Sequence, residues 1–293
     1  MVATVTVVLF MLVACEATHA QVVITGNQTT TQSLAGLAGA SGTTDAVVSS
    51  GASIDVVGAN GLVSGGTHSW NVTNNGTIIG FAAVGLFSGG NVTNTGTIAT
   101  NATNGIGATG DAIGILYGNP IIDNSGTITN TSPFGPRAGI ELAGISGASI
   151  TNRVGATIDI SGSYPTSSGI LVDSSSGTVV IDNAGTINAG QAISNLGANS
   201  VVKNEATGTI SGFVTLFSGS VQNAGLITGA VQATGGATVA NTGVITAMTG
   251  LPVGFGAVDF FGAYNGTLVN GGTIGNINGP AVVFFNSGDS TLV

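Results

Sequence analysis

The sequence predicts an all-β chain folded as a three-sided parallel β-helix of about ten coils. Three observations carry that expectation: a seven-residue pattern returns at least nine times, its aliphatic and polar residues alternate, and Asn and Gly hold fixed places within it. Of 293 residues, 50 are Gly, 12 are Asp or Glu and only three are Lys or Arg, while 43% are apolar. An apolar share drawn mostly from Val, Ile, Ala and Leu excludes the charged, weakly hydrophobic chains that stay disordered. With a formal charge of −9 and Arg137, Arg153 and Lys203 as the only cations, no patch can neutralise several phosphates at once, so nucleic acid is excluded as a partner. Anionic lipid headgroups are disfavoured for the same reason.

The first element is the apolar run Val2–Cys15, whose core Val-Val-Leu-Phe-Met-Leu-Val-Ala (7 to 14) is followed by Ala17-Thr18-His19-Ala20. That is the hydrophobic region and small-residue cleavage site of a secretory signal peptide, residues 1–20, cut after Ala20. Its basic start is missing, which points to a mis-assigned start codon. The alternative is a lipobox, Leu12-Val13-Ala14-Cys15, with Cys15 acylated. Cleavage after Ala20 leaves residues 21–293 as one repeat domain without Cys, so no disulfide or thiolate chemistry is available. Every later apolar stretch is interrupted before about 18 residues, too short for a spanning helix.

The repeat reads aliphatic, spacer, Asn, spacer, Gly, Thr, Ile. Its copies carry Asn74 and Gly76, Asn94 and Gly96, Asn124 and Gly126, Asn183 and Gly185, Asn223 and Gly225, and Asn241 and Gly243. Longer variants carry Asn152 with Gly155 and Asn204 with Gly208, and in a ninth copy, Val269 to Ile274, Asn270 falls one residue early. Successive Asn residues lie 18 to 31 apart. Val, Ile and Thr favour strands, and Gly and Asn every few residues would break helices. The aliphatic residue before Asn and the Ile after Gly point inward, with Thr outward, as a two-residue pleat requires. Asn and Gly form the corner: Asn tolerates a left-handed backbone and can bond its own turn, and Gly takes positive φ.

Beyond each Ile lies a second apolar segment, such as 112 to 116, 139 to 142, 169 to 172 or 213 to 216, and a third strand then leads to the next Asn. Three short strands per repeat make one coil, bonded to the next at about 4.8 Å. Ordering a 20-residue coil opposes folding by roughly 20 to 40 kcal/mol, and its four to six inward aliphatics return only about 1.5 to 3 kcal/mol each. A lone coil therefore does not fold. Stacking adds backbone ladders, aliphatic files and a column of corner Asn whose amides bond along the stack. An antiparallel sandwich is the alternative architecture, disfavoured because it would not repeat with a fixed corner.

Catalytic, metal and cofactor sites are not expected. The mature chain has one histidine, His68, with Ser69 beside it on the opposite face of a strand and Asp55 the nearest upstream acid, so neither a triad nor a His-rich metal site can be built. Paired glycosidase carboxylates would have to come from acids scattered about one to a coil. Asp123 and Asp182 share a phase but are separated by the Asn152 coil. The sequence instead offers recognition features: paired aromatics at Phe260-Phe261 and Phe284-Phe285, with Phe260 and Phe284 as the candidate contact surface, and lengthened coils at 100 to 110, 130 to 137, 161 to 168 and 246 to 256. Asn-x-Thr triplets such as Asn71-Val-Thr73 arise from the repeat itself and say little about glycosylation.

A signal peptide, a Gly/Asn/Thr/Ser/Val-rich mature chain without Cys, and recurring Val-x-Asn-x-Gly-Thr-Ile together resemble the passenger region of bacterial type V autotransporters, over essentially all of residues 21–293. The resemblance implies an exported β-helical rod at the surface of a Gram-negative cell or released from it, adhesive or structural, without catalysis. A catalytic β-helix acting on polysaccharide or ester substrates is the alternative. It also implies an outer-membrane β-barrel translocator outside this chain, which would then be a fragment or a truncated reading frame. A host or surface ligand, protein or glycan, and self-association through an open C-terminal coil complete the expected partners.

Overall fold

The computed structural model describes residues 21–38, 44–65, 68–101, 110–130, 138–161, 166–195, 199–249, 254–262, 266–277, 279–285 and 291–293. Its strands fall into three parallel sheets of 12, 11 and 11 strands, here sheets A, B and C, visited in turn by the chain. Each strand pairs with the equivalent strand one coil away, as in Asn91 to Asn94 against Asn71 to Asn74 in sheet A and Thr97 to Thr100 against Thr77 to Gly80 in sheet B. This is a three-sided parallel β-helix, and the parallel pairing throughout excludes the sandwich. Among the described residues it has eleven three-stranded coils, plus a twelfth sheet A strand at Thr291–Leu292, in line with the expected ten or so. At about 4.8 Å per coil the stack is roughly 50 Å long.

The pleat places one aliphatic file inside each sheet. In sheet B it runs Ile54, Ile78, Ile98, Ile128, Ile158 and onward to Ile245, each fully buried. Sheet A contributes Val72, Val92, Ile122 and Ile150, and sheet C contributes Leu62, Val84, Ile113 and Ile140. The files merge into one continuous core. The Thr residues between them face outward and are half-buried.

The corner between sheets A and B holds the Asn column. Asn74, Asn94, Asn124, Asn152, Asn183, Asn204, Asn223, Asn241 and Asn270 stand in register. Each Nδ2 donates to the Oδ1 of the next at 2.7 to 2.8 Å. The same Nδ2 also reaches a backbone carbonyl of the next coil, as Asn74 does to Thr97 at 3.1 Å. All but Asn270 are buried. Inside the protein such chained amides polarise one another, and each finds its hydrogen-bond partners within the stack.

The reason for glycine in this corner differs from the one the sequence suggests. None of Gly76, Gly96, Gly126, Gly185, Gly225 and Gly243 has positive φ, and neither does any Asn of the column. Glycine is needed because adjacent coils touch there: a Cβ on Gly96 would overlap the Gly76 carbonyl oxygen, and one on Gly126 that of Gly96. Among the described A/B corners positive φ appears at Gly26, Gly51 and Gly155; the last two corners are two residues longer, and there Ala52 and Ala156 take the contact position.

Three further differences come from phase. Asn270 is not early: it lies opposite Asn241, Leu268 is the inward residue, and Val269 is exposed. Two N-terminal coils escape the motif because Ile24 and Val48 occupy the column, Val48 lying directly against Asn74. A short helix, Leu34–Ala38, drives Leu34 fully into the core beside the first strands.

Candidate functional site

Sheet C carries the chemical variety that the A/B corner lacks. Its outward file reads Val63, Gly85, Gly114, Glu141, Leu171, Ser194, Thr215, Gln232 and Asp259. Across the strands Val84–Leu86, Ile113–Leu116 and Ala138–Ala143 this file forms the floor of a cleft of about 250 Å³. Phe81 and Phe87 stand as its aromatic walls, and Glu141 lines it in the next coil. Asn60 enters from the preceding coil, its Oδ1 accepting the Ala82 N–H at 3.3 Å. Asp111, buried, accepts the Ala138 N–H at 2.8 Å. A floor of backbone, two aromatic walls and a few polar groups can hold a small, partly apolar ligand.

A second feature lies on the same sheet toward the C-terminus. Phe260 and Phe284 stack at 4.9 Å and continue the inward file; Phe260 is 3% exposed. Phe260 is therefore a core residue and not part of the contact surface that the sequence proposes, while Phe284 is partly buried and packs against that core. Two neighbours make the room: Ala233 sits opposite Phe260 in the preceding coil, and a Cβ on Gly266 would overlap the Phe260 ring. The outward column is Phe261 and Phe285, stacked at 4.8 Å, with Phe255 tilted against both.

Beside that column Asp259 points out of the coil yet is fully buried. Its Oδ1 accepts the Gly256 N–H at 2.7 Å, and its Oδ2 has no partner among the described residues. Burial pushes this carboxyl up to about 6, against the lowering effect of the Gly256 bond.

The remaining sequence candidates stay apart. His68 and Asp55 are exposed, and Ser69 donates to the Ser88 carbonyl instead of engaging a histidine. Asp123 and Asp182 are separated by Thr151, and Asp123 takes a bidentate pair of bonds from Arg153 at 2.6 Å. Among the described residues no three His, Cys, Asp or Glu gather to hold a metal ion. Residues 1–20, and most of the lengthened coil segments (102–109, 131–137, 162–165 and 250–253), lie outside the described residues. Sequence reasoning missed the cleft; its signal was glycine between two core aliphatics in consecutive coils, Val84-Gly85-Leu86 and Ile113-Gly114-Ile115.

The fold and this surface define a parallel β-helical solenoid with a recessed outer face. Comparison with protein-family models, curated proteins and solved structures finds no match to the chain.

Proposed function

We propose that the chain is an exported, surface-displayed or secreted β-helical passenger that serves as an adhesive or structural binding rod, carried to the cell surface by an outer-membrane β-barrel translocator. The observation that supports it most is the amide column through nine successive coils, which stiffens one edge of the rod and leaves sheet C free to vary. Residues 1–20 supply the export signal in this reading.

The test is to fuse the full chain, with residues 1–20, to an outer-membrane barrel in a Gram-negative host and label intact cells with an impermeant reagent. Cleavage after Ala20 and surface labelling are expected; an uncleaved chain retained inside the cell overturns the reading. A second reading, catalysis on polysaccharide or ester substrates, is favoured by one observation: Asp111 and Glu141 line the same cleft. Turnover that disappears in Asp111→Asn and Glu141→Gln variants would establish it.

A further inference from the structure

One of the two glycines in the cleft floor, Gly114, is demanded by no neighbour among the described residues. Gly85 and Gly114 face each other in register within sheet C, and neither has positive φ. Among the described residues a Cβ on Gly114 would meet nothing within 4 Å, whereas Gly85 is buried and a Cβ there would press on the Phe87 ring at 3.1 Å, so Gly85 seats that wall. The corner glycines are explained by backbone contact and Gly85 by the Phe87 ring, but Gly114 by neither. Glycine inside a strand weakens it and marks a place where another group approaches the backbone closely. On the next four coils the same file carries Glu141, Leu171, Ser194 and Thr215, so the floor is lowered only where Phe81 and Phe87 rise beside it.

The geometry points to a sugar subsite: the cleft takes one uncharged pyranose ring of a glycan. The ring lies over Gly114 with its apolar face against the phenylalanines. Its hydroxyls donate to the Glu141 carboxylate and accept from the Asn60 Nδ2. Several features select this class. A flat ring needs a flat floor, whereas a Lys or Arg tip would reach Glu141 without one. About 250 Å³ lies below the range of roughly 300–1,000 Å³ that encloses drug-sized ligands, so a single ring fits better than a longer segment. Glu141, the nearby Asp111 and the chain's net charge of −9 repel uronic acids and sulfated sugars.

This inference rests on the reading of the chain as a binding rod, and its test separates the two. The full chain is titrated calorimetrically with maltohexaose, cellohexaose and chitohexaose as neutral probes, hexagalacturonate as an acidic one and hexalysine as a basic one. At least one neutral probe binds saturably, and hexagalacturonate does not. Gly114→Val, which fills the floor, weakens that binding at least tenfold without lowering the melting temperature, and Glu141→Gln weakens it several-fold. Phe87→Ala removes an exposed ring and gives a second variant should Gly114→Val fail to fold; it too weakens binding about tenfold. Absence of binding by all three neutral probes, equal binding by both floor and wall variants, or binding of hexalysine alone overturns the subsite. Release of shortened sugar during the titration overturns the non-catalytic rod and leaves the subsite standing.

Discussion

The A/B corner and the outer face of sheet C are built on the same stacked strands, yet they tolerate opposite amounts of change. At the corner, successive backbones approach so closely that a Cβ on Gly96 would overlap the Gly76 carbonyl, and the adjoining Asn must bond its counterparts above and below. On sheet C the outward side chains meet only solvent, loops or one another, and the file runs through glycine, acid, aliphatic and hydroxyl residues. Repetition thus follows from contact between coils and not from strand pairing itself. A glycine in this protein carries two meanings: at Gly96 the neighbouring coil requires it, and at Gly114 none of the described residues does.

Substitution at the corner breaks the comparison most sharply. Gly96→Ala places a methyl group against the backbone of the coil below, where no flexible side chain can yield. We expect it to destabilise the rod by about 4 kcal/mol, at the upper end for single substitutions, measured by urea unfolding and by loss of amide exchange protection in the flanking coils. A change within error would mean that the coils separate easily and that the corner glycine is incidental. Asn124→Ala comes next. It removes the donor to Asn152 and the acceptor for Asn94, leaving buried polar atoms short of partners, at about 3 kcal/mol. Asn74→Ala breaks only one ladder bond, since Val48 lies on its other side, and the loss should be about half as large.

How much of this was readable from the residues depends on whether a position is set by pleat parity or by packing from another coil. The three sheets, the inward files and the Asn column follow from a two-residue alternation and a fixed corner. The first two coils did not show themselves, because Ile24 and Val48 close the column with hydrocarbon where later coils use an amide. Parity is silent for two adjacent phenylalanines of equal size. Phe260 turns inward because Ala233 and Gly266, distant in sequence and small, leave a space that only the folded coil reveals. The cleft was hidden for a related reason: in a chain with 50 glycines, the pair that floors it looks like all the rest.

Charge gives a smaller effect, and it lies on sheet C. The Asp259 carboxyl, raised by burial to about 6, binds its proton more tightly in the folded protein than in the unfolded chain, where the usual value is about 3.9. The folded state therefore holds more protons between about pH 4 and 6. Its stability falls as pH rises through that window and stays at the lower level above it. Asp259→Asn keeps an oxygen for the Gly256 N–H and removes the buried charge. Relative to the parent it should be more stable by about 2 kcal/mol at pH 8 and indistinguishable at pH 4. A stabilisation of equal size at both pH values would assign the effect to packing rather than ionisation.

The smallest effect isolates the two roles of glycine within the corner itself. Gly155 lies in one of the longer corners with a φ of 79°, and a Cβ there would have nothing within 4 Å. Space is available and only the backbone conformation resists a side chain. Gly155→Ala should therefore be destabilising by about 1 kcal/mol, the strain of an L-residue in the left-handed region, and Gly155→Asn by less, because Asn enters that region more readily. Gly96→Ala has the reverse problem, an ordinary backbone with no space, and Asn there should be worse than Ala. If Asn restores stability at residue 155 and worsens it at residue 96, the two glycines are distinguished by conformation and contact respectively. If Asn is tolerated equally at both, inter-coil contact is not what enforces the repeat, and the account of the corner given above fails.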